Sequence, residues 1–252
     1  MTNDKQQMTN NTLAIILARA GSVGLPDKHL LPLGGKPVIA HTFAHARAAR
    51  TLDRVVVSTD CPRIRRLAGE AGLGVIARPA HLATSDASVQ DVMLHAMDSV
   101  EAASPGFQAG ALVVLYGNVP LRGPDVIDRA VRLLRDSGCD SVRSFCPVGK
   151  WHPAWMSRLD GDRVTPLHPG SIHRRQDLEP LFLHDGAVVA VSRKSMFRGR
   201  TDPADPHAFF GIDRRGIETA AGETIEIDQL RDLYWARAVL DEAESQTARM
   251  AS

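Results

Sequence analysis

The sequence has almost no net charge, few cysteines and no long apolar run. Thirty lysines and arginines face 29 aspartates and glutamates in 252 residues, so neither nucleic-acid polymers nor membranes are expected as partners. Cys61, Cys139 and Cys146 are odd in number and scattered, which favours a reducing cytoplasm over a disulfide framework. No apolar run approaches the roughly 18–20 residues of a membrane span. These features predict a soluble cytoplasmic protein.

Common signatures of phosphate and zinc sites are missing as well. The sequence contains no G-x-x-x-x-G-K-[ST], and Gly21 and Gly24 do not complete a G-x-G-x-x-G. His152, His168 and His173 have neither paired cysteines nor the spacing of zinc ligands. A P-loop, a dinucleotide-binding fingerprint and a zinc site are therefore not predicted.

Apolar runs alternate with helix-like segments along most of the chain. We predict strands at 13–18, 54–58, 74–77, 111–116, 141–146, 187–191 and about 224–227. We predict helices at 36–50, 62–71, 88–102, 124–136 and 229–243. Because this alternation is typical of βαβ units, we predict an α/β fold with a mostly parallel sheet and helices on both faces.

Two segments depart from the alternating pattern. Residues 1–11 are polar and lack the apolar core of a signal peptide, so we interpret them as a disordered tail. From Pro147 onward, prolines, histidines, arginines and two tryptophans follow one another without a period. We interpret 147–182 as an inserted lobe of a single domain that comprises residues 12–252.

Cations, small residues and carboxylates follow the predicted strands. Arg19 comes after the first strand, Arg78 after the third and Asn118 after the fourth, whereas Glu226 and Asp228 end the last. Ligands of doubly wound sheets bind beyond the carboxyl ends of the strands. A phosphate ligand with a divalent metal would use this mixture of groups.

A longer set of motifs carries a family resemblance. The segments "AIILARAGSVGLPDKHLLPLGGKPVIAHT", "DRVVVSTD", "ARPAHLATSDAS", "NVPLR", "RRQ", "DGAVVAV" and "IEID" occur in this order. Together they resemble the CMP-sialic acid synthetase (acylneuraminate cytidylyltransferase) family from about residue 13 to the end. The resemblance implies a Rossmann-like nucleotidyltransferase fold. It also implies a reaction in which a sugar acid displaces pyrophosphate from CTP and leaves as the CMP-sugar.

The resemblance implies which residues bind the nucleotide. Arg19 and Lys28 match the cations around the triphosphate, and with Asp228 they are the predicted catalytic residues; solvated loop charges are the alternative. The predicted nucleotide-binding residues are Leu17, Ala18, Arg19, Gly21, Ser22, Gly24, Lys28, Arg78 and Ser88. Val23 stands where the family usually has lysine, and His29 replaces an asparagine next to the base.

On the sugar side the departures from the family are more numerous. The predicted substrate-binding residues are Tyr116, Asn118, Arg122, Arg175, Gln176 and Asp185. Arg175 would bind the sugar carboxylate, since guanidinium fits carboxylate in a bidentate manner, although a solvated basic turn is the alternative. Tyr116 replaces a glutamine and is equally consistent with core packing, and Trp155 replaces a lysine. The sugar could therefore differ from N-acetylneuraminic acid.

Glu226 and Asp228 are the predicted metal ligands, with Mg²⁺ as the cofactor. On a strand, side chains two residues apart share a face, so both carboxylates could reach one ion, and oxygen ligands suit magnesium. The alternative is that both are strand-end charges and that Asp228 caps the last helix.

The leading interpretation is a magnesium-dependent cytidylyltransferase that activates a nonulosonic, sialic-type sugar acid. The resemblance also implies a homodimer, in which the 147–182 lobe reaches across the interface with Trp151 and Trp155 as anchors. The alternative is that both tryptophans pack within their own lobe. One alternative is a nucleotidyltransferase for another acceptor, such as a Kdo-like sugar or an alcohol phosphate. Another is a non-catalytic nucleotide-binding module that lost activity with the lysine at Val23.

Overall fold

The computed structural model describes residues 11–21, 24–168, 170, 174–198, 205 and 207–250. Ser22, Val23 and His173, named above, lie outside the described residues, as does most of the predicted tail. The strands are β1 Thr12–Leu17, β2 Pro32–Leu33, β3 Lys36–Pro37, β4 Arg54–Thr59, β5 Gly74–Ala77, β6 Ala111–Tyr116, β7 Ser141–Pro147, β8 Ser157–Asp160, β9 Arg163–Pro166, β10 Phe182–Ser192 and β11 Arg214–Glu218. The helices are α1 Val38–Ala48, α2 Pro62–Glu70, α3 Val89–Ala103, α4 Val126–Ser137, α5 Arg193–Arg198 and α6 Leu230–Met250.

Seven strands form the main sheet in the order β11-β7-β10-β6-β1-β4-β5. Only β10 runs antiparallel to its neighbours β6 and β7 within this described sheet, so the predicted mostly parallel α/β fold is confirmed. Leu17 pairs with Tyr116 on one side and with Ser58 on the other. The carboxyl ends of the three central strands therefore meet at one edge.

Hydrophobic side chains of the central strands are buried on both faces of the sheet. Ala14 and Ile16 pack with residues of α1, α2 and α4, whereas Leu13 and Ile15 pack with residues of α3. Alternation between the two faces explains why the strands read as continuously apolar runs. At about 1.5–3 kcal/mol for each fully buried large aliphatic side chain, these two layers fix the position of the edge.

Helix ends agree with the local chemistry of the sequence. The Ser88 hydroxyl accepts a hydrogen bond from the Asp91 amide at 3.0 Å and caps α3, as serine commonly does. Gly138 ends α4 in the left-handed conformation that glycine adopts freely. Pro37 is extended and precedes α1 instead of lying in its first turn. None of the helices within the described residues is long and apolar enough to cross a membrane.

Several elements differ from the prediction. The expected strand at 224–227 is wrong, because only an isolated bridge between Leu121 and Ile225 occurs there. β11 and α5 were not predicted, since both are rich in arginine and carry little apolar pattern. In the 147–182 segment, β8 and β9 form a separate, exposed two-stranded sheet. β10 starts at Phe182, five residues before the predicted strand at 187.

Candidate active site

A pocket of about 240 Å³ opens at the carboxyl edge of β1 and β6. Seven predicted site residues line it: Leu17, Arg19, Lys28, Arg78, Tyr116, Asn118 and Glu226. The carboxyl ends of these strands therefore surround a pocket, as the sequence predicts.

The loop that follows β1 is held at two points. The Ala20 amide donates to Asp60 Oδ1 at 2.7 Å, which ties the loop to the end of β4. At Gly24, a Cβ atom would lie 3.0 Å from the main-chain oxygen of Asp228. Since a side chain there would press on rigid backbone, glycine allows the loop to pass close to Asp228.

Three cations surround the pocket, and their environments differ. Arg78 is buried and donates to Ser58 Oγ at 3.1 Å and to Ser58 O at 2.7 Å. Burial lowers the pKa of Arg78 to about 10, so it stays protonated at neutral pH. Arg19 donates to Gly21 O at 2.9 Å in an exposed position. Lys28 lies in a 3₁₀ turn and pairs with Asp228.

His29, which the family resemblance places next to the base, also lines the pocket. It is buried, and a Cβ atom at Gly117 would lie 3.0 Å from its Cδ2 atom, so glycine at 117 makes room for the ring. Burial first, and then the charges of Lys28, Arg78 and Arg19, lower the pKa of His29 to about 4. A neutral imidazole therefore contacts the pocket at neutral pH.

Glu226 and Asp228 converge on one amide group. Asn118 Nδ2 donates to Glu226 Oε1 at 3.1 Å, to Asp228 Oδ1 at 3.2 Å and to Ile227 O at 3.1 Å. Lys28 Nζ lies 2.6 Å from Asp228 Oδ1. The two carboxylates thus come together without the predicted strand, because main-chain bonds from Ile225 and Ile227 hold the segment against 118–121.

The carboxylate pair has the chemistry of a hard-cation site. Burial first, and then repulsion from Asp228, raise the pKa of Glu226, so a nearby cation would stabilise its charged form. Oxygen donors of this kind suit Mg²⁺. Among the described residues no group of three or more His, Cys, Asp and Glu side chains assembles. An ion held by this pair would therefore complete its shell with water or ligand oxygens.

Capping of the last helix falls to another residue. The amides of Asp228 and Gln229 donate to Asp232 Oδ2 at 3.0 and 2.8 Å. The Asp228 carboxylate instead accepts from Lys28 and Asn118. These contacts favour the electrostatic role of Asp228 over the capping alternative.

Three predicted ligand-binding residues form hydrogen bonds within the protein. Arg122 is buried outside the pocket, and its nitrogens donate to Ala187 O, Tyr116 O, Val119 O, Thr42 Oγ1 and His45 Nδ1. Asp185 accepts from Thr219 Oγ1 at 2.6 Å and from the Ala187 amide at 3.0 Å. Ser88 caps α3, as described above. These side chains join elements of the fold, and the contacts of Arg122 and Asp185 with a sugar acid stay predictions.

Two further predicted residues of the sugar side, Arg175 and Gln176, belong to one short turn. Gln176 is exposed in the short turn Arg175–Asp177. The side chain of Arg175 lies outside the described part of the chain. Its proposed contact with a carboxylate therefore stays a prediction.

A mostly parallel sheet, with a cationic loop and a carboxylate pair at its carboxyl edge, places the chain among α/β proteins of Rossmann-like fold. Residues 13–236 match the family model described as cytidylyltransferase, and the chain belongs to the cytidylyltransferase family.

Curated relatives and a solved structure agree with this placement. The chain is 32% identical to N-acylneuraminate cytidylyltransferase of Streptococcus agalactiae serotype V over 80% of its own length and 49% of that protein's. It thus spans about half the length of this relative. It is 30% identical to CMP-N,N'-diacetyllegionaminic acid synthase of Legionella pneumophila over 89% of its own length and 93% of that protein's.

The fold is also similar to a solved structure. CMP:2-keto-3-deoxy-manno-octonic acid synthetase complexed with CTP matches with a TM-score of 0.69 at 22% identity. The match covers 92% of this chain and 99% of that one.

Proposed function

We propose that the protein transfers the cytidylyl group of CTP to a nonulosonic, sialic-type sugar acid and releases pyrophosphate. The observation that carries this proposal is the pocket in which Arg19 and Lys28 face the Glu226–Asp228 pair. Relatives named for N-acylneuraminate and N,N'-diacetyllegionaminic acid support an acidic sugar as acceptor.

The residues of the pocket would promote the transfer through their charges and their positions. Arg19 and Lys28 would neutralise the triphosphate and the charge that develops as pyrophosphate leaves. Neutral His29 would contact the nucleotide without adding charge. Glu226 and Asp228 would hold Mg²⁺, which when bound offsets charge on the phosphate oxygens. In-line attack by a hydroxyl then needs mainly orientation, which the pocket supplies.

The test is pyrophosphate release with CTP and a panel of acceptors. We expect turnover with one or more nonulosonic acids and little with Kdo or alcohol phosphates. Preference for Kdo or an alcohol phosphate would support the alternative acceptor. Binding of CTP without turnover on any acceptor would support the non-catalytic alternative.

We further propose a homodimer formed through the 147–182 lobe. Exposed apolar side chains in and beside this lobe support an interface: Trp151 is 67% exposed, Leu159 74% and Val164 63%. Such clusters on a monomer surface commonly mark contact sites. Light scattering should give twice the chain mass, and Leu159→Glu should lower it. A monomer at working concentration would reject the proposal.

Cytoplasmic localisation is also part of the proposal. Cys61, Cys139 and Cys146 are all free thiols, two of them buried, which supports a reducing compartment. Cell fractionation with a thiol-alkylation assay would test it.

A further inference from the structure

Arg143 occupies an unusual position on β7. Its guanidinium carbon lies 5.1 Å from the ring centre of Phe145 and 4.6 Å from that of Phe210. Two aromatic contacts hold the planar group through cation–π attraction. Within the described part of the chain, the guanidinium has no hydrogen bond and no ion pair. Its N–H groups are therefore oriented but unused.

Neighbouring arginines show how different this environment is. Arg193 pairs with Glu101 and Arg198 with Asp140, so these two arginines meet carboxylates. Among charged side chains, Arg214 has the largest electrostatic effect on Arg143, and it is also a cation. Its guanidinium carbon lies 6.0 Å from the ring centre of Phe210. Arg214 is itself satisfied by Gly211 O at 2.6 Å. A net positive charge thus stays at Arg143.

Sheet register places Arg143 on the pocket side of the sheet. Arg143 pairs with Val189, and Val189 pairs with Val114. Paired residues point to the same face, and so does Tyr116, two residues beyond Val114. Tyr116 lines the pocket.

The electrostatic environment of Tyr116 agrees with this placement of Arg143. The pKa of Tyr116 is raised by burial and then by Glu226, and the charge of Arg143 opposes this rise. The Tyr116 ring therefore feels the carboxylate pair and the guanidinium together. An acceptor beside Tyr116 would have the metal-binding carboxylates near one end and Arg143 near the other.

We propose that Arg143 binds the carboxylate of the acceptor and thereby selects acidic sugars. This inference rests on the proposed function and specifies its substrate class. A guanidinium presents a fork of N–H donors that matches the two oxygens of a carboxylate. Because the two phenylalanine rings already orient the fork, little entropy is lost on binding. This role differs from the one that the family resemblance gives to Arg175.

The experiment compares an acid with its uncharged counterpart. Initial rates are measured for the best acceptor acid of the panel and for its carboxamide, with wild type, Arg143→Met and Arg143→Lys. Arg215→Met is the matched control, since Arg215 lies on the adjacent strand β11 and pairs with Asp213 at the surface. Arg175→Met tests the competing assignment.

We expect Arg143→Met to raise KM for the acid at least about tenfold, as loss of a charged hydrogen bond does. KM for CTP and for the carboxamide should stay within about twofold. Arg143→Lys should recover part of the loss, and Arg215→Met should behave as wild type. A thermal shift with CTP that equals that of wild type shows that each variant is folded.

Three results would overturn the assignment. These are an unchanged KM for the acid in Arg143→Met, an equal loss with acid and carboxamide, and a loss confined to Arg175→Met. Failure of the proposed function would be visible earlier, as absence of pyrophosphate release by wild type with every acceptor. In that case calorimetric binding of the acid to wild type and Arg143→Met still decides the inference.

Discussion

Replacing Asp228 by asparagine is the most direct test of the carboxylate pair. The change keeps the shape of the side chain but removes the charge that meets Lys28 Nζ at 2.6 Å. The Lys28 side chain is 16% exposed and that of Asp228 59%, so a mostly buried lysine loses its anion. A charged hydrogen bond contributes roughly 1.5–3 kcal/mol, and solvent at the exposed partner reduces this to about 1 kcal/mol. In metal-free buffer we expect Tm to fall by about 2–4 °C.

Glu226→Gln is the matched control, and we expect the opposite sign for stability. Glutamine keeps an oxygen that can accept from Asn118 Nδ2. It removes a charge whose ionised form is disfavoured by desolvation and by Asp228, the two main causes of the raised pKa of Glu226. Stability without metal should therefore stay the same or rise. A general loss of packing would lower the stability of both variants.

Activity should respond to the two changes in the same direction but to different extents. We expect Asp228→Asn to show no turnover at low Mg²⁺ and partial recovery at high Mg²⁺, and Glu226→Gln to be milder. The assay is pyrophosphate release against Mg²⁺ concentration, with thermal unfolding in metal-free buffer. An Asp228→Asn protein with wild-type rate and Mg²⁺ dependence would refute the metal site. Equal destabilisation of both variants would refute the repulsion argument.

Three further predictions concern the pocket and the fold. Lys28→Met should lower kcat/KM at least about tenfold in steady-state assays, because a cation facing the triphosphate is lost; a change below twofold would contradict this. CTP should raise Tm in thermal-shift measurements more than ATP or GTP does, and equal shifts would reject a cytidine pocket. Burial, then the charges of Arg122, His41 and Lys36, lower the pKa of His45 from 6.5 to about 4. Because the unfolded chain binds a proton at His45 more readily than the folded chain does, the free energy of unfolding falls as pH drops from 6.5 towards 4. The loss from this histidine is at most about 3 kcal/mol. Urea unfolding of His45→Gln should show a smaller loss between pH 7 and 4, and parallel curves would contradict it.

Most strands of the sheet could be predicted from the sequence, because the central strands are buried on both faces and are therefore continuously apolar. The strand at 111–116 was predicted with the bounds that the structure has, since every position is apolar. The segment at 224–227 alternates like a strand but pairs only through Ile225. A local pattern could not show that its main chain is satisfied by Leu121 and Asn118.

Site residues that directly follow a strand could be predicted from the sequence. Residues whose side chains can point either into the pocket or into the protein interior were harder to predict. Leu17, Asn118 and Glu226 line the pocket as expected. Arg122 belongs to a motif that matched the family, yet motif position does not reveal that its donors are consumed by main-chain oxygens. Arg143 is an arginine inside the predicted strand at 141–146. Such a residue requires either a buried partner or a ligand.

The contact between Lys28 and Asp228 joins residues 200 positions apart in the chain, and Gly24 packs on the main chain of Asp228. During synthesis, a growing chain that has not yet reached residue 226 can form β1, β4 and β6 but lacks the carboxylate pair at the pocket edge. The two carboxylates should therefore meet the cationic loop late, when the last segment docks on it. A chain shortened before residue 226 should retain the sheet and the cationic side of the pocket without the carboxylates.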